Sequence, residues 1–322
     1  MSPVKIIATH NGTFHCDEVF ACAMLLYTKE YSGAGIVRTR DPTTIASADI
    51  AVDVGGVYEP YTHRFDHHQS SFNETFGPRY KTRLSSAGLI YKHFGREVLA
   101  RILGLNVSDV TDDVYHKVYT SFVQAIDGND NGVTAYDGMK NYEVSTDLPS
   151  RVSRMNPVWN DSVGIDANVR FHDAINLVRT EFVEAIKDVV YVWLPARKIV
   201  KDAFSARYTV HTSGRIMYIG TPCPWQSHLY DIEHDEHLAG QVLFVIFSDS
   251  SGGFRVRAVS EETSKFTNRH SLPERWRGYD GSALQEECGV ADAIFVHTNG
   301  FIGGASSYDG ALLMATRALP SS

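Results

Sequence analysis

The chain has 322 residues, of which 43% are hydrophobic, 11% aromatic and 21% charged, a length that argues against one simple core. Its formal net charge of −8 excludes a protein that coats nucleic acid through a broad basic surface, so any nucleic-acid contact is expected to be local. The four cysteines, Cys16, Cys22, Cys223 and Cys288, form no C-x-x-C pair, which excludes a zinc ribbon or a disulfide framework and fits a reducing compartment.

Met1-Ser2-Pro3-Val4-Lys5-Ile6-Ile7 leads straight into a strand, with no basic-then-apolar or Arg-rich leader. No run reaches the roughly 18 apolar residues of a membrane span, so an intracellular protein without a membrane partner is expected. Val4 to Thr9 reads as a buried strand and His10 to Cys16 as a loop. Asp17 opens a helix through about Lys29, with Phe20, Met24 and Tyr27 on one face. Ile36 to Arg40, Ile50 to Val54 and Arg64-Phe65-Asp66 read as further short strands. Ser85-Ser86 caps a helix running toward Phe94 that Gly95 ends. Thr111 or Ser108 caps a longer one, with Val114, Val118, Phe122 and Ile126 at helical spacing. Strands alternating with helices predict an α/β fold, an open, mainly parallel sheet covered on both faces. In such sheets ligands bind beyond the carboxyl ends of strands.

Gly132 to Gly164 is loop-rich, and a long helix follows with Phe171, Ile175, Val178, Phe182 and Ile186 in one apolar stripe. After Leu194-Pro195-Ala196 the texture changes. Strands are expected at Arg215–Ile219, Gln241–Ser248, Phe254–Val259 and Ala293–His297, then a Gly- and Ser-rich turn over Gly300 to Ser307 and a closing helix from Asp309 to Leu319. The expected organisation is a catalytic domain over residues 1–200 and a smaller C-terminal α/β domain over 205–322, with the boundary within 195–210 and the active site between them.

Four elements carry chemistry. His10-Asn11-Gly12-Thr13-Phe14-His15-Cys16-Asp17-Glu18 places two histidines and an aspartate between a strand and a helix start. Asp53 interrupts an apolar strand run and needs a partner, because a lone buried carboxylate is costly. Asp66-His67-His68-Gln69 ends another strand, where adjacent side chains point apart and at most one histidine serves a given ion. Asp127 follows a long apolar helix face. Each also has an ordinary reading: Asp17 as a helix cap, Asp53 hydrogen-bonded near Gly55-Gly56, Asp127 as a turn residue. Together they offer imidazoles and carboxylates at the ends of one open sheet, a mixture suited to Mn2+ or Mg2+ and not to an all-thiolate zinc site. Two such ions sharing a carboxylate could activate water and offset charge in an in-line phosphoryl displacement. His234-Asp235-Glu236-His237 has metal-like residues but no evident partner and reads as a polar loop.

The order of these elements resembles the DHH phosphoesterase superfamily, and more narrowly the MYG exonuclease family, the melanocyte-proliferating-gene proteins. The segments that carry the resemblance are Thr9 through Glu18, Phe65-Asp66-His67-His68-Gln69, Arg151 through Pro157, Trp193 through Arg197, Cys223-Pro224-Trp225, Leu272 through Gly278, and His297 through Gly304. The resemblance implies one ion held by His10, His15 and Asp53, and a second held by Asp17, Asp53, His67 and Asp127, with Asp53 bridging. It further implies that His68 faces the substrate phosphate, that Asp66 orients a ligand, and that His297, Gly303 and Gly304 contact substrate. Asp17, Asp53 and His68 would form the catalytic set. His15 stands where the superfamily usually has Asp, and this softer donor favours Mn2+ over Mg2+. The expected activity is metal-dependent hydrolysis of phosphodiester bonds, 3′-to-5′ on RNA, the RNA preference resting on the resemblance alone. Arg79-Tyr80-Lys81-Thr82-Arg83, Arg151 with Arg154, and Arg275 with Arg277 could track a nucleic-acid backbone, helped by Tyr80 or Trp276. A small-molecule phosphoesterase and a non-catalytic binding protein are the alternatives. The resemblance associates such proteins with nucleus and mitochondrion, and with no presequence visible the expectation is cytoplasm or nucleus.

Overall fold

A computed structural model describes residues 3–136, 138, 141–161 and 166–320, so Gly164, the expected end of the loop-rich stretch, lies outside the described residues. The chain divides into two compact units, Met1–Val189 and Val190–Ser322. The division falls inside a π-type turn, Asp188–Trp193, ahead of the 195–210 window. Pro195 lies within a helix. It occupies the first turn of the next helix, directly after the π-type turn, where a missing N–H costs least.

The first unit is built on β1 (Ile6–Thr9), α1 (Cys16–Leu25), β2 (Gly35–Arg38), α2 (Pro42–Ser47), β3 (Ile50–Val52), β4 (Tyr58–Glu59) and β5 (Arg64–Phe65). It continues with α3 (Ser86–Leu103), α4 (Asp112–Val118), α5 (Gln124–Asp130), α6 (Leu148–Ser153) and α7 (Ala167–Lys187). The strand order is β2-β1-β3-β5-β4, parallel except for the β4 edge. The chain leaves β1 for β2 on one side and returns to β3 on the other, which opens a crevice at the carboxyl ends of β1 and β3. α1 is buried along all ten residues and packs against α3 and α7. A helix with no solvent face carries even its first-turn acids, Asp17 and Glu18, into the interior. On α7 the stripe Phe171, Ile175, Val178, Phe182 and Ile186 is buried as its spacing predicts.

Gly95 does not end α3, which runs on to Leu103 and closes on Gly104 in the left-handed conformation. A Cβ on Gly95 would lie 2.9 Å from Tyr91 and 3.1 Å from Tyr115, so this glycine makes room for aromatic packing.

The second unit contains α8 (Leu194–Ser205), α9 (Arg207–Val210), β6 (Ile216–Ile219), α10 (Gln226–Asp235), β7 (Phe244–Ser248), β8 (Phe254–Ala258), β9 (Ser260–Glu261), β10 (Ser264–Asn268), α11 (Gly281–Cys288), β11 (Ala293–Val296), β12 (Ile302–Ala305) and α12 (Tyr308–Arg317). Its main sheet runs β11-β12-β8-β7-β6, antiparallel except for β6 with β7. Val200, Phe204, Leu229 and Ile232 cover one face, and Leu284 and Met314 cover the other. The chain is thus α/β in both units. Among the described residues no helix is long and apolar enough to cross a membrane.

Two expectations for this unit change. The Gly300–Ser307 stretch is not an open turn but contains β12, paired on both sides. The His234–His237 stretch is not a loop throughout: His234 lies on α10 and meets Glu262 at 2.7 Å.

Candidate metal centre

The loop after β1 is clamped before any ligand is considered. Asn156 accepts from the Phe14 N–H and donates to the Phe14 carbonyl, both at 2.8 Å, pairing with that residue as a strand would. Arg38 donates to the Gly12 carbonyl and lies over the rings of Phe14 and Phe171. His15 then caps α1, with its N–H donated to Glu18 at 2.8 Å.

This scaffold gathers His10, His15, Asp17, Glu18, Asp53, His67, His68 and Asp130. Three overlapping groups have ligand atoms within 4.8 Å of one another: His10, His15, Glu18 and Asp53; Asp53, His67 and His68; His15, Asp17 and Asp130. Asp53 stands at the centre. One of its carboxylate oxygens lies 3.3 Å from His10 Nε2, and the other lies 3.2 Å from His67 Nε2 and accepts from the Ser86 hydroxyl at 3.0 Å. It holds a φ of +58°, a left-handed conformation uncommon outside glycine, and such strain persists where surrounding structure imposes it.

Three details fit divalent cations. His10 Nδ1 donates to the Asn11 carbonyl at 3.0 Å, so in the neutral ring the Nε2 lone pair faces Glu18 at 3.0 Å and Asp53. Asp17 is 1% exposed, yet neither carboxylate oxygen has a hydrogen-bond partner among the described residues. His67 Nε2 faces Asp53, Asp130 and Asp17 at 3.2, 3.3 and 3.8 Å without hydrogen-bond geometry to any of them. Buried carboxylates and imidazole lone pairs converging without donors are costly unless a cation joins them.

The titration behaviour follows from the same crowding. Burial pushes Asp17 well above the usual carboxylate range, and the Asp53 charge adds to it. Burial alone would lower His10, but Asp53 and Glu18 outweigh it and bring it to about 10. His67 is likewise raised against its burial, by Asp53 and Asp130. Asp53 is held low despite burial, by His10 and His67.

Five of the six ligands expected from sequence, His10, His15, Asp17, Asp53 and His67, meet in this cluster. Asp127 does not. It is completely buried against the start of α3, where one oxygen accepts from Ser85 N–H, Ser85 Oγ and Gly88 N–H and the other from the Tyr119 hydroxyl. A Cβ on Gly88 would lie 2.3 Å from that carboxylate, so only glycine admits it. Asp130, three residues later on α5, reaches His67 instead. Glu18 was also missed, and its signal was available: Glu three residues after a helix cap, on a helix with no polar face.

Asp66 is 3% exposed with both oxygens engaged: it accepts from the Gly56 and His68 N–H groups and from His68 Nδ1 at 2.7 Å. The His68 side chain is 64% exposed on a cavity of about 750 Å³ that His10, His15, Asp53 and Arg40 also line. In the second unit His297 is exposed, with its ring 4.6 Å from that of Phe301. Gly303 and Gly304 are buried in β12, where a Cβ would lie 3.0 Å from the Phe295 carbonyl at Gly303 and 3.2 Å from the Phe254 carbonyl at Gly304, so close packing against the neighbouring strands accounts for both. Trp276 is fully buried and Tyr80 is 9% exposed against Phe76, which leaves neither able to stack a base.

Fold and cluster define a two-unit α/β protein with a carboxylate–imidazole centre suited to divalent ions. The chain belongs to the family with the model MYG1_exonuc, described as "Uncharacterised protein family (UPF0160)", which matches residues 6–319. It is 45% identical over 327 residues to the MYG1 exonuclease of Mus musculus, covering 99% of this chain and 86% of that protein, and the MYG1 exonuclease of Homo sapiens gives the same figures. A MYG1 protein of Schizosaccharomyces pombe is 44% identical over 326 residues, covering 99% of this chain and 98% of its own. No solved structure matches the chain.

Proposed function

We propose that this protein is a metal-dependent phosphodiesterase of the DHH type that removes nucleotides from RNA, working 3′ to 5′, with Mn2+ preferred to Mg2+. The observation that carries the reading is Asp17, buried without a donor beside the shared Asp53. The exonuclease names of the mammalian relatives support the phosphodiester class.

In this reading His10, His15 and Asp53, with Glu18 behind them, hold one ion, and Asp17, Asp53, His67 and Asp130 hold the other. The pair would supply Lewis acidity and an activated water. His15, an imidazole among carboxylates, tilts the first position toward Mn2+. His68, held by Asp66 through Nδ1, has Nε2 left to meet a phosphate oxygen. The second unit supplies further substrate contacts, with His297 as the exposed candidate.

End-labelled RNA, DNA, a dinucleotide and pyrophosphate, each incubated with Mn2+ or EDTA, test this. Stepwise shortening of RNA with Mn2+, blocked by EDTA and by a 3′-terminal cap, is the expected result. Equal cleavage in EDTA would sink the metal mechanism. The second reading, a small-molecule phosphoesterase, is favoured by the burial of Tyr80 and Trp276, and turnover of pyrophosphate or dinucleotide without RNA cleavage would establish it.

His68→Ala is expected to keep both ions and lose on the order of 10²-fold in kcat, the cost of one preorganised transition-state contact. Loss of an ion together with activity would make His68 a ligand.

A further inference from the structure

A second pocket of about 400 Å³ adjoins the metal cavity and shares Arg40, Val54 and Gly55 with it. Small-ligand sites run from about 300 to 1,000 Å³, so the pocket can take a single planar group. Its walls are mostly aliphatic, formed by Ile45, Ala46, Val54 and Val57, with no acidic and no amide side chain among them. Ile45 and Val54 belong to a small packed cluster with Ala8, Ala48 and Ala51, so the floor is fixed by the core.

The two cations of this pocket differ. Arg64 donates to the carbonyls of Thr62, His63, Ala46 and Ala48 at 3.0 to 3.2 Å, which holds its guanidinium flat and leaves it few free donors. Such a plane can stack on a base. Arg40 makes no hydrogen bond or ion pair among the described residues. Its neighbour Asp41 is engaged in capping α2 through Thr44. An unpaired guanidinium thus stands where the histidine-lined metal cavity and the apolar pocket meet, the place for a phosphate oxygen attached to something apolar and flat.

We infer that this pocket seats the base of the nucleotide whose phosphate lies at the metal centre, with Arg40 on that phosphate; this rests on the nucleotide-releasing activity proposed above. No lining side chain is placed to read a base edge, so purine and pyrimidine should be held alike, by shape and stacking. A pyrophosphate-type substrate would have no use for the pocket.

The test is titration of the Mn2+-loaded protein with AMP, UMP and ribose 5-phosphate. AMP and UMP are expected to bind comparably, and each at least tenfold more tightly than ribose 5-phosphate. Ala46→Trp fills the pocket from an exposed position and should remove that tenfold advantage while leaving ribose 5-phosphate affinity unchanged. Val57→Trp does the same from another wall should the first variant not fold. Arg40→Ala should weaken all three ligands. AMP binding no tighter than ribose 5-phosphate in the wild-type protein overturns the base pocket, with no variant needed, even if RNA is cleaved. Base-dependent binding lost in the Trp variants upholds the pocket even if RNA is not a substrate, so the two failures are separable.

Discussion

Asp53→Ala is expected to abolish turnover and release both ions. One oxygen of Asp53 faces His10 and the other faces His67, and among the described residues no other carboxylate lies within 4.0 Å of both imidazoles. Glu18 lies 3.0 Å from His10 and Asp130 lies 3.3 Å from His67, while both also group with His15. The loss should exceed the roughly 10²- to 10³-fold that removal of one transition-state donor costs, because both ions and the water they activate would go with it. Alanine also fits poorly at a φ of +58°. Asp53→Asn keeps the shape and tolerates the left-handed conformation, so it separates lost ligation from backbone strain. Metal analysis alongside turnover reads the outcome: two tightly held ions and normal rates in Asp53→Asn would falsify the shared-carboxylate arrangement.

The second large effect distinguishes two aspartates on one helix. Asp130→Ala should lose the ion on the His67 side, and activity with it, while the melting temperature of the metal-free protein barely changes. Asp127→Ala should do the reverse. It strands the Ser85 and Gly88 N–H groups and two hydroxyls in the interior, at about 1–3 kcal/mol for each unsatisfied group, so a loss of several kcal/mol of stability is expected with metal stoichiometry retained in the folded fraction. The pH dependence gives an independent reading. Burial pushes Asp127 up to about 6, against the pull of the Ser85, Tyr119 and Gly88 donors. Its value in the unfolded chain is about 3.9, so the stability that this group contributes is complete below about pH 4 and is lost as pH rises through 6. Asp127→Asn, neutral throughout, should lack that decline. Urea midpoints of both proteins at pH 4.5 and 7.5 measure it. If Asp127→Ala lost the ion and Asp130→Ala kept it, the assignment of the two residues would be reversed.

Much of this centre was legible without coordinates, because the signals involved are local. Strand ends are marked by where alternating or continuous apolar character stops, and ligands in an open α/β sheet gather at those ends. His10, Asp53 and Asp66-His67-His68 all sit there, after β1, β3 and β5. A carboxylate inside the apolar run ending at Asp53 demanded a partner on desolvation grounds alone. The stripe on α7 likewise identified its buried face from spacing.

Tertiary structure decided what depends on the phase of one element against another. Asp127 and Asp130 share α5, about 60° apart around the axis and about 4.5 Å apart along it, so they lie on neighbouring parts of one face and nothing in their segment tells which of them meets the strand ends. The choice was made at a distance, by Gly88, whose missing side chain lets the start of α3 close on Asp127 and leaves Asp130 facing His67. Gly95 and Gly304 follow the same logic: glycines that read locally as a stop and a turn sit where the Tyr91 ring and the Phe254 carbonyl leave little room for a Cβ. Trp276 and Tyr80, offered by composition as stacking platforms, are buried in their cores because an aromatic side chain gains more from packing than from exposure. Residue chemistry is a property of the chain, while access and pairing depend on how its elements pack.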